Sequence, residues 1–257
     1  MLNIVIPMAG RGSRFAIAGF TRPKPLILLG GRPMIQWVID NVRPARPHRF
    51  IFICLETHLQ AYPEVAVTLR ALAPGCEIVT VREVTEGAAC TVLLARQLIA
   101  TEDALMIANS DQFVNLAIDD YLTSTDAPGV DGLIMTFPAQ NPKWSYIRRD
   151  ASGTICEVVE KKVISDEATV GIYNFRRGAD FVHAAELMIA HDRRVNGEFY
   201  IAPTYNFLIE QGARIATHRI GAEGAGMHGL GTPEDYERFQ QTACFRRHTA
   251  GSPAHAA

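Results

Sequence analysis

Short apolar runs alternate with longer stretches of helical spacing through the first half of the chain. Leu2 to Pro7 is apolar at all but one position and reads as a buried strand that ends in the glycine-rich turn Ala9-Gly10-Arg11-Gly12-Ser13. Met34 to Val42 carries apolar residues at helical intervals, and Arg49 to Leu55 is a second strand. Tyr62 to Leu72 predicts a helix, Glu77 to Val81 a third strand and Ala88 to Ile99 a further helix. Ala104 to Ala108 is a fourth strand that breaks at Asn109-Ser110-Asp111, and Asp131 to Phe137 is a fifth. Such alternation is the pattern of a parallel sheet covered by helices on both faces.

The pattern then changes. Tyr146 to Arg149 and Ile155 to Glu160 flank "DASG", and Gly153 suits a turn position with positive φ, so the pair predicts a hairpin. Val170 to Phe175 and Arg214 to Ile220 read as strands, and Phe181 to Ala190 and residues 202–211 as helices. Thr232-Pro233-Glu234-Asp235 supplies an N-cap, a proline at the first helical position and two acids in the first turn. That last helix is expected to run to about Arg246. Residues 1–246 are therefore expected to form a single domain, and 247–257 a disordered tail of small residues without periodicity.

Composition narrows the class. The 257 residues carry 25 Lys and Arg against 27 Asp and Glu, a formal charge of -2, so no global basic field favours a nucleic-acid backbone. A local basic pocket for a small polyanion stays open. Cys54, Cys76, Cys90, Cys156 and Cys244 are scattered and odd in number, with no Cys-x-x-Cys pair, which predicts neither a disulfide framework nor a cysteine zinc site. No run approaches eighteen apolar residues and no leader pattern precedes the first strand. A cytoplasmic chain without membrane attachment is expected.

Three places can carry chemistry. Arg11, Arg14, Arg22 and Lys24 fall within fourteen residues around the glycine-rich turn, an enrichment that suits several phosphates. On the glycines alone, a tight turn with a basic loop remains an equal alternative. The Rossmann fingerprint fails because its third glycine position is Phe15 and prolines interrupt the following helix; a Walker A motif fails because no Gly-Lys-Ser/Thr follows. Asp111 stands just past the fourth strand, on the side of the sheet where ligands of open α/β folds gather, and is a candidate Mg²⁺ ligand or else a loop cap. The third place is Glu160 to Lys162, either a solvated strand end or part of a site.

"MAGRGSRF", then "TRPKPLILLGGRPMIQWVID", "EGAACTVLLA", "ANSDQ", "EKK", "VGIYNF" and "LGTPEDYERF" together resemble the sugar-phosphate nucleotidylyltransferases, in order over residues 1 to about 246. The resemblance implies a three-layer α/β sandwich, Rossmann-like, with a mainly parallel mixed sheet. It also implies transfer of a nucleoside monophosphate from an NTP to a phosphorylated acceptor with release of pyrophosphate. Ala9, Gly10, Arg11, Gly12, Ser13 and Arg14 would wrap the triphosphate, and Lys24 would contact the transferred phosphate. Gly87 would read the nucleobase, with Arg82 where a glutamine often stands. Asp111 would hold Mg²⁺, Glu160 and Lys161 the acceptor, and Trp144, Ser145, Val170 and Gly171 would line the acceptor end. Arg14, Lys24, Asp111 and Lys161 are the residues expected to act on the reacting groups.

One position departs from the resemblance. Gly229 stands where the better-known sugar enzymes carry a second magnesium aspartate, so Glu198, Asp235 or water must complete the coordination. His58, His183 and His228 are expected in structural or surface roles. CTP or UTP is the favoured donor, and a sugar-1-phosphate or small phosphorylated alcohol the expected acceptor. A metal-dependent glycosyltransferase is the competing reading, but Ser110-Asp111-Gln112-Phe113 lacks its second acid. A non-catalytic nucleotide-binding module would leave Asp111 and Lys161 unexplained.

Overall fold

A computed structural model describes residues 1–250. Its strands, in chain order, are β1 (Leu2–Met8), β2 (Leu28–Leu29), β3 (Arg32–Pro33), β4 (His48–Leu55), β5 (Glu77–Val81), β6 (Ala104–Ala108), β7 (Gln112–Val114), β8 (Gly132–Pro138), β9 (Ser145–Arg149), β10 (Ile155–Glu160), β11 (Glu167–Phe175), β12 (Ile215–Arg219) and β13 (Met227–Gly229). Nine of them form one sheet, along the path β10-β9-β11-β6-β1-β4-β5, with β8 beside β11 and β12 beside β8.

The sheet has two characters. β6, β1, β4 and β5 are all parallel, as the continuous apolar runs predict. β11 is antiparallel to β6, β8 and β9, and β9 pairs with β10 in the expected hairpin. Helices cover both faces. Ile4, Ile6, Phe50 and Phe52 point into one apolar layer with helices Met34–Val42, Glu64–Leu72 and Ile118–Thr123. Val5, Ile51, Ile53 and Ile107 point into the other, against helices Ala88–Leu93 and Gly178–Ala190. Alternate residues of each strand thus fill opposite layers, which makes the three-layer sandwich.

Several boundaries differ from expectation. The helix expected over Tyr62 to Leu72 starts at Glu64, because a residue before proline is pushed out of the α region and Tyr62 sits at φ -135°, ψ 73° before Pro63; Glu56–Ala61 is a further helix beyond those expected. The Ala88 to Ile99 helix breaks after Leu93 and resumes as Arg96–Ile99. The final helix ends at Gln240, and Thr242 starts another, Ala243–Thr249, by accepting from the Phe245 N–H at 3.0 Å. Helical structure therefore reaches into the segment expected as a tail, and residues 251–257 lie outside those described.

This last helix packs against helix Met34–Val42 and the β2–β3 turn rather than trailing away. Phe245 stacks on Trp37 at 5.4 Å between centroids, and Arg32 donates to the His248 carbonyl. Phe15, the side chain that disqualified the Rossmann fingerprint, is 1% exposed and meets Phe20 and Tyr236 edge-on. The turn rests on an aromatic cluster instead of a close helix–strand contact.

Candidate active site

The C-terminal ends of β1 and β6 and the segment before helix Ala88–Leu93 enclose a cleft of about 450 Å³. Ala9, Gly10, Arg11, Gly12, Arg22, Lys24, Gly87 and Asp111 all line it, although up to 102 residues separate the first from the last in sequence. Gly12 takes φ +64° as the N-cap of helix Ser13–Ile17, a conformation L side chains rarely adopt. The N–H groups of Gly10 through Arg14 are not spent on backbone carbonyls, so they remain donors for an anion. Ser13 and Arg14 line a smaller recess that continues past Lys24 and Asp111 to Gly231.

Lys24 and Asp111 form an ion pair, Nζ to Oδ2 at 2.5 Å. The cation and the anion thus satisfy one another although they stand 87 positions apart in sequence. Lys24 is carried by a one-turn helix, Lys24–Leu26, that begins after Pro23. Asp111 follows β6 and is fixed by its neighbours, since its carbonyl accepts from Leu230 N–H at 2.7 Å and β13 pairs with β7 immediately beyond it.

That pairing brings the glycines of the late segment against acids. A side chain at Gly231 would meet Asp111 Oδ2 at 2.9 Å, and one at Gly229 would meet Asp235 Oδ2 at 3.2 Å. Asp235 therefore occupies the space next to Gly229 where the resemblance expects an aspartate side chain. No group of three or more His, Cys, Asp or Glu residues that could hold a metal occurs among the described residues. The donor set suits Mg²⁺ that takes one or two carboxylates and draws its other oxygens from phosphates and water.

A second cluster lies where β11 passes from β9 to β6. β11 is bulged between Thr169 and Tyr173, and Gly171 sits in the bulge at φ +96°. A Cβ there would meet Asn109 Nδ2 at 2.1 Å and Gln112 Oε1 at 2.8 Å, so only glycine lets these amides close over the strand. Val170 is 1% exposed and belongs to the core, so its side chain is no contact for a ligand. Glu160 is buried and accepts from the Ser145 hydroxyl; burial raises its pKa against the pull of Ser145 and Lys161. Lys161, at φ 54°, donates to the Tyr200 hydroxyl, and its N–H is held by the Trp144 carbonyl at 3.0 Å.

Tyr200 was invisible in the sequence. It arrives because Phe199 N–H donates to the Glu86 carbonyl and the Phe199 carbonyl accepts from Ala89 N–H, clipping residues 198–200 to the Gly87 turn. The same clip brings Glu198 into the cleft. Arg82 does not join it: its side chain is 93% exposed beside Glu56. His58 lines the cleft, since helix Glu56–Ala61 begins directly at the end of β4. His228 is buried against Phe113 and Phe239, which lowers its pKa, and His183 is exposed. No cysteine lines the cleft, and burial pushes the Cys54 thiol up to about 12. No helix among the described residues is long and apolar enough to cross a membrane.

The sequence model of the nucleotidyl transferase family matches residues 4–201. The bifunctional protein GlmU of Burkholderia orbicola is 27% identical over 249 residues, 93% of this chain and 52% of that protein. GlmU of Bordetella parapertussis is 28% identical over 260 residues, 96% of this chain and 54% of that one. The chain thus spans about half the length of these curated relatives. Among solved structures, the nucleoside-diphosphate-sugar pyrophosphorylase of Vibrio cholerae superposes with TM-score 0.76 at 28% identity, covering 93% of this chain and 100% of that one. A UDP-glucose pyrophosphorylase complexed with UDP-glucose shares the fold at 17% identity and TM-score 0.71, over 93% and 97% of the two chains.

Proposed function

Because the chain belongs to the nucleotidyl transferase family, we propose that it is a Mg²⁺-dependent nucleotidylyltransferase. It takes an NTP, CTP or UTP in preference, and transfers the nucleoside monophosphate to a sugar-1-phosphate or a small phosphorylated alcohol. The observation that carries this reading is the meeting of the glycine turn, Lys24, Asp111 and Gly87 in one cleft, with Glu160 and Lys161 at the neighbouring bulge.

The chemistry needs no side-chain base. A phosphate monoester carries about -1.5 to -2 charges near neutral pH, so its oxygen attacks the α-phosphorus directly. A P–O bond to the acceptor phosphate forms as the bond from the α-phosphorus to the bridging oxygen breaks, and pyrophosphate leaves with the electron pair. The obstacle is bringing two polyanions together. The free N–H groups of the glycine turn, with Arg11, Ser13 and Arg14, hold the triphosphate, and Lys24 leaves Asp111 to meet the transferred phosphate. Lys161 leaves Tyr200 to fix the acceptor phosphate, while Ser145 and Glu160 hold acceptor hydroxyls beside Trp144 and the Gly171 backbone. Asp111 would hold Mg²⁺, with Asp235 as its second carboxylate; the bound ion supplies charge neutralisation across the phosphates. Glu198, which lines the cleft beside Gly87, would then stand on the nucleotide side. The reaction belongs in the cytoplasm, where NTPs and reduced thiols coexist.

The test is pyrophosphate release with a panel of NTPs against sugar-1-phosphates and phosphorylated amino-alcohols. Release that requires the phosphorylated acceptor supports the reading. Turnover of a nucleotide-sugar without release would favour a glycosyltransferase, and nucleotide binding without turnover a non-catalytic module.

A further inference from the structure

β9, β10 and β11 carry a row of polar side chains across an apolar face. Where Ile147, Ile155, Val158 and Phe175 enter the second apolar layer, strand alternation also places Ser145, Glu160, Thr169 and Tyr173. All four are buried, at 6%, 8%, 2% and 6% exposure. Buried polar groups are costly unless they satisfy one another, and the strand register lets these do so. Glu160 stands opposite Ser145, and the pairing of Ala168 with Tyr146 sets Thr169 on the other side of Ser145.

Tyr173 joins from further along β11. Four residues of regular strand span about 13 Å, too far for a threonine and a tyrosine hydroxyl to meet. The bulge between Thr169 and Tyr173 shortens that path, and the two hydroxyls lie 2.9 Å apart. The Ser145 hydroxyl donates to Glu160 Oε2 and also hydrogen-bonds the Tyr173 phenol. Burial raises the pKa of that phenol, so it stays protonated and donates. Each hydroxyl can then give its proton one step along, from Thr169 through Tyr173 and Ser145 to the carboxylate. Glu160 Oε1 makes no hydrogen bond among the described residues yet is not enclosed, so it reaches solvent.

Resting on the proposed reading of Glu160 as an acceptor contact, we infer that Tyr173 is a positioning residue that acts through Ser145. The row holds one oxygen of Glu160 inside the protein and presents the other, fixed in orientation, to the bound acceptor. The group it meets there is a hydrogen-bond donor, a hydroxyl or an ammonium.

The full chain, labelled with ¹³C in its glutamate side chains, is titrated by NMR from pH 4 to 9 without nucleotide or acceptor. The Glu160 signal is the one that Glu160→Gln lacks. The other charged groups that act on it, Lys161 and Glu198, are present in every variant. Hydrogen bonds from the row favour the carboxylate, so Tyr173→Phe, which keeps the ring, should raise the midpoint by at least about half a pH unit. Ser145→Ala should raise it at least as far, and Tyr173→Phe should add nothing in that background. Ser145→Thr, which keeps the hydroxyl, should leave the midpoint in place. An unchanged midpoint in Tyr173→Phe, or a further rise when it is combined with Ser145→Ala, would overturn the inference.

Kinetics with CTP, Mg²⁺ and either ethanolamine phosphate or glucose 1-phosphate as the probe acceptor supply the second reading. Tyr173→Phe should raise the acceptor KM about tenfold and leave the CTP KM within about twofold, whereas a packing role alone would lower the melting temperature and move neither. Equal changes in the two KM values would also overturn the inference. Absence of turnover by the wild type with both probes would count against the proposed acceptor class, and the NMR midpoints would still decide whether Tyr173 acts on Glu160.

Discussion

Gly87→Ala tests whether the clip between the Gly87 turn and Phe199 builds the cleft. Gly87 lies at φ 127°, ψ 169°, a region that glycine alone enters freely, and strain there costs about 1–3 kcal/mol. A Cβ would also stand 2.4 Å from the Phe199 carbonyl oxygen and 2.5 Å from its nitrogen. Relief requires the Phe199 backbone to retreat, which loosens the hydrogen bonds to Glu86 and Ala89 at about 0.5–1.5 kcal/mol each. The sum is about 2–6 kcal/mol, or a fall in melting temperature of about 4 °C at the very least, taking about 2–4 °C per kcal/mol. Gly153→Ala is the control, because Gly153 has φ +85° and open space, so strain acts there without a clash. Melting curves of both variants, with KM for the NTP, form the assay. The retreat of Phe199 carries Glu198 and Tyr200 with it, so KM should rise in Gly87→Ala alone. Equal melting losses in the two variants, with unchanged KM, would refute the clip.

Lys24→Ala should lower turnover by about 10²-fold or more while shifting stability by no more than about 1 kcal/mol, because Asp111 is left with access to water; kcat and a melting curve check both. Glu160→Gln should be more stable than the wild type at neutral pH and no different in acid. Burial raises the Glu160 carboxyl pKa, so its contribution to stability is fully present below the unfolded pKa and declines as pH rises through the folded one; melting temperatures from pH 4 to 8 test the sign. Asp235→Asn should weaken Mg²⁺ binding to the NTP-loaded chain about tenfold, read by calorimetric titration, whereas a helix-terminal role alone would leave that affinity unchanged.

The parallel half of the sheet was legible because strands buried on both faces read as unbroken apolar runs. Asp111 was legible for the same reason, standing where such a run stops. β7 and β13 were not, since three residues of mixed character carry no period, and only their pairing with each other defines them. Helix breaks depended on single residues. Pro63 could have signalled one, and Thr242 another through its capping hydroxyl, but the interruption after Leu93 has no comparable mark. Tyr200 stayed hidden because backbone hydrogen bonds across more than a hundred residues bring it beside Lys161. Arg82 was expected from the resemblance alone, and its side chain leaves the end of β5 toward solvent.

The central claim is that Asp111 acts through its charge. Asp111→Asn keeps the shape of the side chain and removes the anion, and hard cations bind an amide oxygen far more weakly than a carboxylate. Acceptor-dependent pyrophosphate release should be measured for wild type and variant across a Mg²⁺ titration. Turnover of the variant should fall about 10²-fold or more, equal to at least about 2.7 kcal/mol of transition-state stabilisation, with partial recovery at high Mg²⁺. Equal rates at low Mg²⁺ would contradict the assignment and the mechanism built on it.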